Sequence, residues 1–122
     1  MTRLWWSVAL AGGCGIASED DYATALANNI CKQTERCTLG FFESEYTSFD
    51  DCVGEQKDEI DPELELYQDL DCEYVPSEAR ECVNRIGGLS CEDWFEGDSI
   101  AACDLVYDCP DLTYGYTYGG SR

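Results

Sequence analysis

The run Ser77-Glu78-Ala79-Arg80-Glu81-Cys82-Val83-Asn84-Arg85-Ile86-Gly87-Gly88 reads as a helix with both ends marked. Ser77 supplies a start signal, and the glycine pair after Ile86 supplies a stop. Between them Ala79, Cys82, Val83 and Ile86 fall on one face at the helical period. A thiol on that apolar face is placed to staple one packed helix to another. An exposed nucleophile with a lowered pKa would sit elsewhere. Cys52 and Cys103 occupy the same kind of position in their own segments.

Outward from that stretch the pattern repeats. A first helix is expected from Asp20 to Cys37, with Ser18 and Asp21 at capping-box spacing and Gly40 just past its end. Its apolar face holds Tyr22, Leu26, Ile30 and Cys37. A second is expected from Phe49 to Ile60, started by Ser48 and Asp51 and stopped by Pro62. Phe49, Cys52, Val53, Gln56 and Ile60 share its face. The segment 62–75 admits two readings. Asp61-Pro62 could open a short helix, whereas Leu70, Cys72 and Tyr74 alternate as in extended chain. A last helix follows Ser90 with Asp93 three residues on, breaks near Gly97, and resumes from Ser99 through Ile100, Cys103, Val106 and Tyr107 until Pro110. Trp94, Phe95 and the leucines read as core. The expected fold is all-α, a small disulfide-stapled helical bundle of four to five helices spanning residues 20–110.

Composition narrows the function classes. The chain has 122 residues, 26 acidic against 7 basic, and a formal net charge of −19. Such a field repels phosphate backbones, so nucleic acid is excluded as a partner. There is no histidine, which removes imidazole general acid–base chemistry, imidazole-dependent triads and every His-containing zinc site. A chain of this length with 9 cysteines belongs with small domains that are cross-linked because their apolar interior is limited.

The start of the chain accounts for the odd cysteine. Arg3 precedes the apolar run Leu4–Ala11, and Gly12-Gly13 lead into Cys14. A positive residue, a short apolar run and small residues before a cleavage point make a secretory signal, too short to span a bilayer. Small residues before a Cys resemble the lipobox of bacterial lipoproteins, with Ala11 standing where Leu is usual. The resemblance implies a signal peptide over 1–13 and acylation of Cys14, with 14–19 as tether. It further implies anchoring to the envelope, and Gly15 in place of Asp favours the outer membrane over the inner. The competing reading, a buried element over 4–11, is disfavoured because paired Trp beside Gly-Gly-Cys-Gly makes an awkward core.

Setting Cys14 aside leaves Cys31, Cys37, Cys52, Cys72, Cys82, Cys91, Cys103 and Cys109. An even set resolves the parity as disulfides, with about a hundred possible connectivities. A zinc or redox site would need a close Cys pair, and the tightest spacing here has five intervening residues. The carboxylate runs Glu19-Asp20-Asp21, Asp50-Asp51 and Asp58-Glu59-Ile60-Asp61 lack EF-hand spacing and read as solvated surface. Tyr114, Tyr116 and Tyr118 lie in a Tyr/Gly stretch, 111–122, read as a flexible tail. As a whole the chain resembles the Cys-rich lipoproteins of Gram-negative bacteria whose function is unassigned. The functional expectation is an extracytoplasmic binding or structural module without catalytic residues, metal or cofactor beyond the lipid. Its partners are the membrane and an envelope protein or a cationic or apolar ligand. The alternatives are a helical carrier of an apolar ligand and an acidic calcium-binding module.

Overall fold

The computed structural model describes residues 16–97 and 100–110. Helix α1, Glu19–Cys37, begins where Ser18 Oγ accepts the Asp21 N–H at 3.1 Å. Glu19, Asp20 and Asp21 sit at the positive end of its dipole, and Arg36 lies near the other end. Thr38 turns the chain directly into α2, Leu39–Glu45. Gly40 therefore lies inside a second helix and does not terminate the first. That seven-residue helix buries one side chain, Phe42, so it carries no repeating face that periodicity could reveal.

Helix α3 runs from Phe49 to Asp69 and passes through Pro62, which overturns the expected stop. Pro62 leaves the Asp58 carbonyl without its N–H donor, and an interior proline costs about 3 kcal/mol. Ile60 and Leu64 are buried one turn apart and Tyr67 continues their stripe. Each such side chain contributes roughly 1.5–3 kcal/mol on burial, enough together to offset the proline. The helix closes on a Schellman turn. Asp71 adopts φ 61°, its N–H donates to Gln68 O at 3.0 Å, and the Cys72 N–H donates to Tyr67 O at 3.0 Å.

Helix α4, Pro76–Gly87, starts earlier than Ser77 predicts because Pro76 occupies its first turn. Ser90 caps α5, Cys91–Glu96, by accepting the Asp93 N–H at 3.1 Å, and Gly97 ends it at φ 67°. Helix α6, Ala101–Asp104, is shorter than expected. Tyr107 lies beyond it in a two-residue strand, β2 (Tyr107–Asp108), antiparallel to β1 (Glu73–Tyr74). Of the two readings for 62–75, helix holds to Asp69 and extended chain from Glu73.

Helix α1 is the central element. Helix α3 crosses it antiparallel, joined by Cys31–Cys52 at one end and by Gln68 Nε2 donating to Glu19 Oε1 at 2.8 Å at the other. Helix α4 also lies against α1, and Ala23 and Ala27 of α1 are fully buried in the main core. There Asn29 Nδ2 donates to Val83 O at 2.8 Å. Gln33, 1% exposed, donates to Ile86 O at 2.6 Å and Leu89 O at 3.0 Å. Its own Oε1 accepts from Arg36, so the buried amide has partners on both atoms. Gly87 belongs to α4 for a steric reason: a Cβ there would meet Asn29 Nδ2 at 2.8 Å.

The remaining bridges are Cys37–Cys91, Cys72–Cys109 and Cys82–Cys103. The eight cysteines after Cys14 thus pair among themselves. Not every expected core residue is inside. Leu39, Leu66, Leu70, Phe95 and Leu105 are exposed, and Trp94 is half-buried. Helix α5 buries no residue, while Leu66 and Leu70 fall off the Ile60–Leu64–Tyr67 stripe. Ile16 packs on the main core, and its carbonyl accepts the Tyr74 hydroxyl at 2.6 Å. The segment 16–19, expected as tether, is seated on the domain.

Candidate functional site: a tyrosine groove with an acidic rim

Four tyrosines from four elements meet beside the main core. Tyr22 enters from α1, Tyr67 from α3, and Tyr74 and Tyr107 face each other across the β1–β2 pair. The rings of Tyr67 and Tyr107 stack at 4.6 Å between centroids with 12° between planes. Tyr74 lies 5.7 Å from Tyr107 and 6.1 Å from Tyr22, spacings at which aromatic pairs attract.

Polar contacts fix the hydroxyls of Tyr22, Tyr74 and Tyr107. Tyr107 donates to Glu19 Oε1 at 2.7 Å, the oxygen that also accepts from Gln68. The Tyr22 hydroxyl lies 3.7 Å from Cys82 Sγ, and it must be the donor because that sulfur is bonded to Cys103. Burial pushes the Tyr22 phenol up to about 12, with Glu63 and then Tyr67 adding to the rise. Burial and then Tyr22 do the same for Tyr74, again to about 12. Tyr107 is raised first by burial and next by its bond to Glu19. Tyr67 is raised by burial, then by Glu63 and Asp104. All four are neutral hydrogen-bond donors at physiological pH, unsuited to act as bases or nucleophiles.

Three of the four, Tyr22, Tyr67 and Tyr107, border a groove of about 300 Å³ between α1, α3 and the α6–β2 segment. Tyr22, Tyr67 and Tyr107 give it aromatic walls, Ile60, Leu64 and Val106 an apolar floor, and Glu63 and Asp104 an acidic rim. Among the described residues the ion pairs are Lys57–Asp20 and Arg85–Glu81, so neither rim carboxylate has a cationic partner there. Two further hollows exist. One of about 270 Å³ lies among Glu19, Asp20, Asp61 and Glu65, but the first two acids are committed to Tyr107, Gln68 and Lys57. The other, about 380 Å³, is mainly apolar beside Trp94, Ile86 and Leu89.

The residues singled out from sequence fall elsewhere. Cys14 and the tail tyrosines Tyr114, Tyr116 and Tyr118 lie outside the described residues. Among the described residues no three Cys, Asp or Glu side chains converge as a metal-binding group. Tyr67 and Tyr107 were not legible as a site because the predicted helix ended at Pro62 and Tyr107 was placed on a helix. Extending the Ile60–Leu64 stripe by one turn would have found Tyr67. No family model matches the chain, and comparisons with curated proteins and with solved structures found no match.

Proposed function

We propose that the protein is a lipid-anchored extracytoplasmic binding module. Its groove receives a ligand, and Cys14 ties it to the envelope. Four disulfides suit an oxidising compartment outside the cytoplasm. Support for the anchor is the run of small residues before Cys14 and the fact that the other eight cysteines leave no remainder. Among the described residues no helix is long and apolar enough to cross a membrane, and acyl chains on Cys14 would hold the domain at a membrane surface.

The observation that carries the binding reading is the groove itself, lined by aromatic and apolar side chains together with Glu63 and Asp104, neither of which has a cationic partner among the described residues. Its exposed lining is somewhat more polar than apolar, so charge and hydrogen bonding beside a smaller apolar contact would select the ligand. No catalytic step belongs to this reading, since the hydroxyls of Tyr22, Tyr67 and Tyr107 hold their protons above the ordinary tyrosine range. The test uses the full chain expressed with its leader. Metabolic labelling with a tagged fatty acid should mark the wild type and spare Cys14→Ser. A photo-crosslinking amino acid at position 67 should trap a discrete envelope component, whereas one at Glu92 should not. Equal labelling of both proteins would remove the anchor. Identical adducts from both positions would remove the groove as the binding site.

A further inference from the structure

We infer that the groove between α1, α3 and α6 recognises an alkylammonium group, either a free amine or the side chain of a lysine. The inference rests on the groove being the binding site and names the class of ligand it takes. Three features converge on a cation with an apolar stem. The half-buried ring of Tyr67, beside the buried Tyr22 and Tyr107, offers aromatic surface on which an ammonium group is stabilised by the π-system. Glu63 on α3 and Asp104 on α6 are exposed and both line the groove. Both raise the pKa of Tyr67 through their charge, Glu63 more than Asp104, so their fields overlap at that hydroxyl. The floor of Ile60, Leu64 and Val106 is buried and apolar, matching a short alkyl chain and rejecting a fully hydrated metal ion.

Size and long-range charge agree. At about 300 Å³ the groove stands at the lower end of ligand-binding cavities, adequate for a small amine and too small for an extended lipid. The chain's net charge of −19 raises the local concentration of cations and repels anionic competitors. Anions are disfavoured at the rim itself, where none of the described basic residues lines the cavity. A neutral ligand of the same shape would leave both carboxylates unused.

Binding is measured by calorimetry and by amide shifts of isotope-labelled, oxidised protein in physiological salt. The probes are n-butylammonium, choline, butanol as the neutral isostere, and a peptide with one lysine, free or acetylated. Saturable binding of an ammonium probe without binding of butanol is expected, with shifts centred on Tyr22, Tyr67 and Tyr107. The exposed pair Glu63→Gln with Asp104→Asn should weaken it tenfold or more. Glu43→Gln with Glu45→Gln removes the same charge from exposed sites on α2, an element that does not line the groove. At a Debye length of about 8 Å that control should change affinity less than twofold. Tighter binding of the free-lysine peptide than of either amine would make a protein side chain the source, and the reverse a free amine. Equal losses in the two double variants would overturn the inference, reducing binding to general attraction by an acidic surface. Equal binding of butanol, or no binding of any ammonium probe, would overturn it as well. A discrete adduct from position 67 would in those cases leave the groove standing as a site for another ligand.

Discussion

Raising the pH should unfold the domain through its tyrosines. Tyr22 is 5% exposed and its phenol is raised to about 12, by burial first, then by Glu63 and Tyr67. Unfolded, it would titrate near 10. The folded state therefore keeps the proton longer. The stability this contributes is complete below pH 10 and is lost between about 10 and 12. At about 1.4 kcal/mol per unit, two units amount to roughly 3 kcal/mol for Tyr22 alone. Tyr74 adds to this, but Tyr22 is itself part of what raises the Tyr74 phenol, so the two contributions do not sum in full. Against a total stability of about 5–15 kcal/mol, a loss of this order destabilises the fold steeply above pH 11. Tyrosinate absorbance and far-ultraviolet circular dichroism, read within seconds of a pH jump, should show two groups among the 8 tyrosines. The later group ionises together with loss of helix. Tyr22→Phe keeps the ring, removes the ionisation and should move the alkaline unfolding midpoint upward. All 8 tyrosines titrating together near pH 10 with helix intact at pH 12 would refute the buried cluster.

Two further perturbations address the scaffold and its charge. Gln33→Met keeps the volume but leaves the Ile86 carbonyl without its 2.6 Å donor and weakens the pairing of Leu89 O. Ile86 O then keeps the longer bond from the Leu89 N–H at 3.4 Å, and a lost side-chain bond costs about 0.5–1.5 kcal/mol, so urea unfolding should shift to a lower midpoint with an unchanged slope, and an unshifted midpoint would remove Gln33 as the α1–α4 link. Sodium chloride should raise the melting temperature by screening the net charge of −19, with calcium adding little beyond its ionic strength. A specific calcium site would instead add about 2.7 kcal/mol at a hundredfold excess over Kd, or roughly ten degrees, even in saturating salt.

The helix starts were legible because their signal is local. Ser18, Ser48 and Ser90 each accept the N–H three residues on, as their spacing to Asp21, Asp51 and Asp93 predicts. The stops were less so, because tertiary burial competes with local preference. Pro62 is a strong breaker taken alone, yet Ile60 and Leu64 outweigh it by packing on α1. Phe42 draws Leu39–Glu45 into a helix through contact with the Cys31–Cys52 bridge, which no nearby residue announces. Disulfide parity was readable, whereas connectivity was not, since Cys37 meets Cys91 only once α1 and α5 are docked.

The groove was hidden for the same reason, and its dependence on long-range links says where it can exist. Its third wall is the segment 100–110, two short elements that bury Ala102, Val106 and Tyr107. Ordering a segment of that length costs on the order of 10–20 kcal/mol at about 1–2 per residue. Burying two large side chains and an alanine returns roughly 5 kcal/mol, and the β1–β2 bonds add about one more each. The difference falls to the two bridges that hold the segment, Cys82–Cys103 and Cys72–Cys109. Each lowers the entropy of the open chain by a few kcal/mol. Reduction of either would release Tyr107 from Tyr67 and Asp104 from the groove it lines with Glu63. The aromatic wall and half of the acidic rim are thus present only when the thiols are oxidised, so the groove assembles outside the cytoplasm, in the compartment to which a leader before Cys14 would deliver it.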